Sequence, residues 1–389
     1  MSMFRKGKGM GKKFRVAMIG QKRIPSREGG VEVVVDELAN RFTRKGYTVE
    51  AYNRSGYHVS GKEFDAGENG RGKYYNGIRI IIVPTFKNGK LNAICYAFLA
   101  TLRALFGKYD VIHYHAEGPC IMLWLPKMFG VRVVATIHGL DWQRAKWGNF
   151  ASFVLKTGEK VAARYADEVI VLSKNVQEYF WETYQRKTRF IPNGIAKPQQ
   201  KPAEVIREKY GLEKDGYILF LARLVPEKGL HYLIKAFRKL KTEKRLVVAG
   251  GSSHSFAYME GIKKMAAKDS RVLLTDFVQG RVLEELYSNA YCFVLSSDVE
   301  GMAISLLEAM SYGNCCLVSD ISENLEVVED CAYSFRKGDV EDLRRQLWML
   351  LQHPEKVEAM KKRSSGFICQ KYHWDDVVAQ TEKLYRGEE

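Results

Sequence analysis

The sequence predicts an α/β protein of two doubly wound units facing each other across a crevice, and three observations carry that expectation. At 389 residues the chain is too long for one compact core and suits two domains. Short apolar runs alternate with amphipathic stretches along its length, the pattern of parallel strands joined by helices. The pattern breaks at IPNGIAKPQQKP (191–202), which holds three of the nine prolines, and then begins again.

In the first unit FRVAMIG (14–20) reads as a buried strand, followed by a loop with Pro25, Gly29 and Gly30. VEVVVDELANRFTRKG reads as a helix despite its valines. Val31, Val34, Val35, Leu38, Ala39 and Phe42 recur at helical spacing, and Gly46 supplies a stop. TVEAYN (48–53) is the next strand, Arg54 to Gly77 a long polar loop, and IRIIIVP the strand after it. VIHYH (111–115), VRVVATIH (131–138) and EVIVLS (168–173) complete a parallel sheet. In the second unit YILFLA (217–222), RLVVAG (245–250), RVLLTDF (271–277), YCFVLS (291–296) and CCLVSD (315–320) are the strands. A final helix from about Gly366 to Arg386 is anchored by Tyr372, Trp374, Val377, Val378 and Leu384. Two such units put a crevice between the carboxyl ends of two sheets, where ligands usually bind.

Composition narrows the classes. A chain 46% hydrophobic and 27% charged is globular, which excludes wholesale disorder, collagen-like repeats and a multi-span membrane protein. The longest apolar run, Leu91 to Phe106, contains Arg103 and falls short of the ~20 residues a spanning helix needs. The start, MSMFRKGKGMGKKF, is basic without a following apolar core, so it reads as a solubilising tail or a membrane-attracted arm rather than a secretory signal. Seven cysteines (Cys95, Cys120, Cys292, Cys315, Cys316, Cys331, Cys369) without CxxC spacing read as reduced thiols in a cytosolic protein. The net charge of +16 is uneven: +5 over residues 1–13, +11 over 14–195, and zero over 196–389. The N-terminal half is therefore the one expected to face something anionic.

The strongest chemical signal is SSDVEGMAISLLEAMSYG (296–313), directly after a strand. Ile304, Leu306, Leu307 and Met310 begin a helix preceded by Gly301, and the N–H groups and dipole of such a start suit a phosphate. Glu300 lies before the helix and Glu308 about two turns along it. They suit acceptance of hydroxyl hydrogens from two ends of a ligand better than shared cleavage of one glycosidic bond; a solvated Glu and an ordinary helix Glu are the plain alternative. In FLARLVPEKGLHYLIKAF (220–237) a strand ends at Arg223, and Lys228-Gly229 opens a helix with Leu230, Leu233, Ile234 and Phe237 inward. Arg223 offers a planar fork and Lys228 a point charge, together able to neutralise a diphosphate; otherwise they are surface charge. Gly29-Gly30, and Gly250-Gly251 in VVAGG, let backbone approach a ligand, but GQKRIPSREGG lacks the spacing of a nicotinamide fingerprint.

Several of these motifs, in this order from about Phe14 to Tyr385, resemble the family 4 retaining glycosyltransferases of GT-B fold, built from two Rossmann-like domains. EGMAISLLE resembles that family's Glu-(seven residues)-Glu motif, LARLVPEKG its Arg/Lys diphosphate site, Gly29-Gly30 its N-terminal loop, and IPNGI, with Asn193, its interdomain strand end. The resemblance implies that Glu300 contacts the donor sugar, Glu308 the ribose, and Arg223 with Lys228 the diphosphate, helped by backbone near Gly301, Met302 and Ala303. It also implies retention of configuration, and a leaving phosphate that itself takes the acceptor proton. His138, at the end of VRVVATIH, matches a histidine near the donor sugar; a satisfied core histidine is the alternative. Asp141, Trp142 and Arg144 in HGLDWQRAKWG, and PSREGGVE, are similar to a bacterial subgroup that includes rhamnosyltransferases of surface-polysaccharide synthesis. Asp141 either orients an acceptor hydroxyl or caps a helix.

The expected domains are a basic tail (1–13), an acceptor-binding domain (14–195), a nucleotide-sugar domain (196–365) and a last helix (366–389) crossing back to the first domain. With no DxD-like metal motif, the expectation is metal-independent transfer, without cofactor, from a UDP- or dTDP-sugar substrate. The basic acceptor domain and the amphipathic stretch Arg144 to Tyr165 suggest an oligosaccharide or lipid-linked acceptor met on the anionic cytoplasmic membrane face; a packed helix with a solvated basic side is the alternative. No nucleic-acid motif is visible. A GT-B sugar-nucleotide epimerase, a non-catalytic basic membrane binder and, more distantly, a nicotinamide oxidoreductase are the competing classes.

Overall fold

Two parallel sheets organise the computed structural model, which describes residues 13–55, 74–85, 89–143, 149–251 and 255–388. The first contains β1 (Arg15–Ile19), β2 (Thr48–Arg54), β3 (Tyr74–Tyr75), β4 (Ile78–Val83), β5 (Val111–His115), β6 (Arg132–Ile137), β7 (Glu168–Val171) and β8 (Arg189–Phe190). Their order is β3-β4-β2-β1-β5-β6-β7-β8, and only β3 is antiparallel, to β4. The hairpin of β3 is a correction to the loop expected up to Gly77; residues 56–73 of that loop lie outside the described ones. Val16 to Ile19 are fully buried, because helices cover both faces of the sheet, which explains why the strand reads as a continuous apolar run.

Helices α1 (Gly30–Arg44), α2 (Gly89–Leu105), α3 (Glu117–Cys120), α4 (Trp124–Met128), α5 (Asn149–Tyr165) and α6 (Lys174–Tyr184) belong to this lobe. One face of the sheet packs with Tyr96 and Ala100 of α2, Cys120 of α3, Ala162 of α5 and Phe180 of α6. The other receives Val34, Val35, Leu38 and Phe42 of α1.

The second sheet has β9 (Tyr217–Leu221), β10 (Arg245–Ala249), β11 (Val272–Leu274), β12 (Cys292–Leu295), β13 (Cys316–Ser319) and β14 (Tyr333–Phe335) in the order β11-β10-β9-β12-β13-β14. Around it run α7 (Val205–Tyr210), α8 (Leu230–Phe237), α9 (Phe256–Ala266), α10 (Gly280–Asn289), α11 (Ile304–Ser311), α12 (Ser322–Val328), α13 (Val340–Gln352) and α14 (Pro354–Lys371), followed by α15 (Trp374–Arg386). The short edge strands β8 and β14 carry too little apolar pattern to be read from sequence.

The final helix expected from Gly366 is two helices, since Gly366 lies inside α14 and the chain breaks at Tyr372–His373. From there α15 packs beside α1 on the first sheet, with Trp374, Val377, Val378, Leu384 and Tyr385 in that core. Both passages between lobes are tied together, because the Ile195 N–H donates to the Tyr372 carbonyl at 2.8 Å. The seven cysteines are free thiols, five of them buried. Among the described residues no helix is long and apolar enough to cross a membrane.

Candidate active site

The site begins where strand order reverses in the second sheet, between β9 and β12. At such a point successive loops diverge and leave a crevice at the strands' carboxyl ends. The loop after β9 carries Arg223 and Lys228; the loop after β12 carries Ser297 and Glu300. Gly229, at φ +64°, brings them together, since a Cβ there would lie 1.9 Å from the Ser296 carbonyl oxygen. The result is a buried ion pair, Lys228 Nζ to Glu300 Oε1 at 2.5 Å, with Ser297 Oγ donating to the same oxygen at 2.5 Å. Arg223 is half-buried nearby. Gly250 and Gly251 brace its loop: Gly250 packs on the Ala222 carbonyl, and the Gly251 carbonyl accepts from the Leu224 N–H at 3.1 Å.

Positive charge converges on this spot from both lobes. Lys22 follows β1 and its ammonium is pushed down in pKa by burial, against the pull of Glu32, with Arg223 and Arg54 adding to the fall. Cations crowded in this way favour an anionic ligand. The start of α11 points the same way. Its N-cap, Ala303, supplies no side-chain cap, so the first amides and the helix dipole remain for a phosphate.

The first lobe closes over the crevice at two places. His138, half-buried, and Gly139 follow β6, and their backbone meets Gly301: a Cβ on Gly301 would lie 1.7 Å from the His138 carbonyl oxygen. Gly29 is the N-cap of α1, and Gly30 abuts Ile304, where a Cβ would reach its Cγ1 at 3.5 Å. Arg27, in the same loop, forms an ion pair with Glu308, whose other oxygen accepts from Tyr287 Oη at 3.1 Å. The carboxylate expected to take a ribose is thus held across the cleft by a first-lobe arginine.

The remaining expected residues divide. Asn193 is buried and spent on the loop around Met302, its N–H meeting Met302 Sδ at 3.1 Å and its amide the Met302 carbonyl at 3.4 Å. It braces that loop from behind. Met302 and Ala303 are themselves buried. Trp142 is pinned by its indole N–H, which donates to Glu159 at 3.1 Å, with Lys156 Nζ 4.1 Å from the ring centroid. Arg144 lies outside the described residues, as do Lys146 and Trp147. Asp141 is half-buried in a 3-10 turn beside Glu117. Burial, then Asp141 and Glu159, push the Glu117 carboxyl well above the usual carboxylate range. Glu159 also accepts from Tyr179 and Tyr184 at 2.7 and 2.6 Å.

Sequence reasoning missed Arg27, Lys22, Ser297, Glu117 and His115. His115 and Glu117 were within reach, because VIHYHAEGP ends a strand at the crevice just as VRVVATIH does. Arg27 was not, since its partner lies 281 residues away.

Comparison with known proteins places this geometry among relatives. The model for Glycosyltransferase Family 4 matches residues 28–197, and that for Glycosyl transferases group 1 matches 202–367. An uncharacterized glycosyltransferase of Bacillus subtilis is 30% identical over 72% of this chain and 78% of its own. Among solved structures, the sucrose-phosphate synthase of Thermosynechococcus elongatus superposes with TM-score 0.81 at 21% identity, over 96% and 99% of the two chains. Anabaena HepE, solved in complex with UDP and glucose, has TM-score 0.78 at 16% identity, over 97% and 100%.

Proposed function

The chain belongs to the family 4 glycosyltransferases of GT-B fold, and from that premise we propose that it moves rhamnose or another hexose, with retention and without a metal, from a UDP- or dTDP-linked donor to a saccharide acceptor. The observation that carries the reading is the buried Lys228–Glu300 pair at the strand-order reversal, with Arg223 and the uncapped start of α11 beside it and His138-Gly139 above. As the bond from sugar to phosphate breaks, negative charge grows on the diphosphate. Lys228, Arg223 and the α11 amides stabilise that charge in place, before the reaction begins. Glu300 accepts from a sugar hydroxyl, and Glu308 from the ribose once Arg27 releases it. The departing phosphate takes the acceptor proton. The UDP and glucose held by Anabaena HepE support a uridine nucleotide among the candidates.

The acceptor is lipid-linked in this reading, and the first lobe meets it at the cytoplasmic membrane face, in surface-polysaccharide synthesis. Support comes from adjoining helices that are apolar and basic on their outer side. Phe106 beyond α2 is 81% exposed and Phe153 of α5 68%, with Trp124 and Met128 of α4 between them. Arg103, Lys156, Lys160 and Arg164 are exposed alongside. Leu155, Gly158 and Ala162 of α5 face inward, so the helix is packed and still presents phenylalanines among lysines, which suits an anionic interface.

A panel of UDP-, dTDP- and GDP-sugars, screened by thermal shift and then by turnover with lipid-linked sugars, tests the activity. Stabilisation by one nucleotide class and acceptor-dependent release of its diphosphate are expected. Free nucleotide and an altered sugar formed without acceptor would instead identify an epimerase. Flotation with anionic vesicles tests the membrane: binding at low salt that weakens at high salt is expected, and none at either salt would refute it.

A further inference from the structure

Behind His138 the protein holds a second histidine that neither the motifs nor the relatives assign. His113 and His115 project from the same face of β5, as residues two apart on a strand must, and their rings lie 4.0 Å apart. His115 is fully buried, and its Nδ1 is 3.2 Å from Nε2 of His138. Its other nitrogen, Nε2, is buried without a hydrogen-bond partner among the described residues. Two arrangements of the His115 proton are available. With the proton on Nε2, a buried N–H has no acceptor, which is the rarer and costlier defect. With the proton on Nδ1, only a lone pair goes unused, and the N–H points at His138. Burial, with His113 and His138 as neighbours, holds His115 far below the ordinary histidine range, so it is neutral and carries one proton.

We infer that His115 is a positioning residue that donates from Nδ1 to Nε2 of His138, fixing His138 as the Nδ1–H tautomer. His138 then carries its proton on Nδ1, and its Nε2 lone pair, engaged by His115 at 3.2 Å, is not available to take the acceptor's proton. The inference deepens the donor-site reading of His138 and rests on it for consequence, though not for its test. The groups facing His115 are His113, itself held by Tyr385 of α15 and Thr136 of β6, and His138.

The tautomers can be read without any substrate by long-range 1H–15N correlation of the histidine side chains in the full chain. Protonation of both His115 and His138 on Nδ1 at neutral pH is expected; a proton on Nε2 of His138 would overturn the inference. His115→Asn keeps an amide donor near the Nδ1 position, whereas His115→Leu has none. The Asn variant should keep the His138 tautomer and most of kcat. The Leu variant should let His138 revert to Nε2–H and lose roughly tenfold to a hundredfold in kcat, with the donor KM little changed, on the sugar nucleotide the panel selects. An unchanged His138 tautomer in the Leu variant would refute the positioning role. Tautomers as expected with no kcat loss in His138→Ala would instead refute the donor-site reading.

Discussion

Lys228→Ala probes the centre of the site, and its cost follows from the pair it breaks. Lys228 and Glu300 have side chains only 11% and 5% exposed, in contact at 2.5 Å. Removing one partner of such a pair costs about 3–5 kcal/mol, because the other charge stays buried. Ser297 still donates to Glu300, which puts the expectation at the lower end, about 3 kcal/mol. At ~2–4 °C per kcal/mol for a domain of this size, melting should fall by roughly 6–12 °C. The double variant Lys228→Met with Glu300→Gln removes both charges at similar volume and should recover at least half of that loss. Turnover should stay down by about a hundredfold to a thousandfold in both, the scale of losing one group that stabilises transition-state charge. Thermal melts and diphosphate release on the three proteins decide the matter. A single variant melting within ~2 °C of the parent, or a double variant with near-parental turnover, would refute the reasoning.

Gly301→Ala places a Cβ against the His138 carbonyl; each lobe should keep its secondary structure by circular dichroism while turnover falls sharply, and unchanged kcat would mean that the lobes do not meet there. Arg27→Ala frees Glu308 from a partly exposed pair worth ~0.2–1 kcal/mol, so UDP should bind up to about fivefold tighter by calorimetry; weaker binding would show that Arg27 holds the nucleotide itself. Glu117 has a folded pKa raised above its unfolded value, so the native state binds the extra proton and stability falls as pH rises above about 4.5. Glu117→Gln removes that dependence and should melt higher than the parent at pH 8, with the two converging near pH 4.5; parallel curves would place an ionised Glu117 in the native state.

Sequence alone determined the two-lobed α/β architecture, because strands buried on both faces are written as local apolar runs. It equally put Lys228, Glu300, Arg223 and His138 in loops at strand ends, since such loops are short and keep their residues near the strand that precedes them. Tertiary structure decided what depends on distant segments meeting: Arg27 on Glu308, Asn193 as a brace for Met302, the break between α14 and α15, and His115 behind His138. The physical reason is that periodicity records which side of an element is buried, not which element covers it. Contacts between lobes, such as Gly301 on His138, are set by packing of backbones more than 160 residues apart, and no local pattern encodes them.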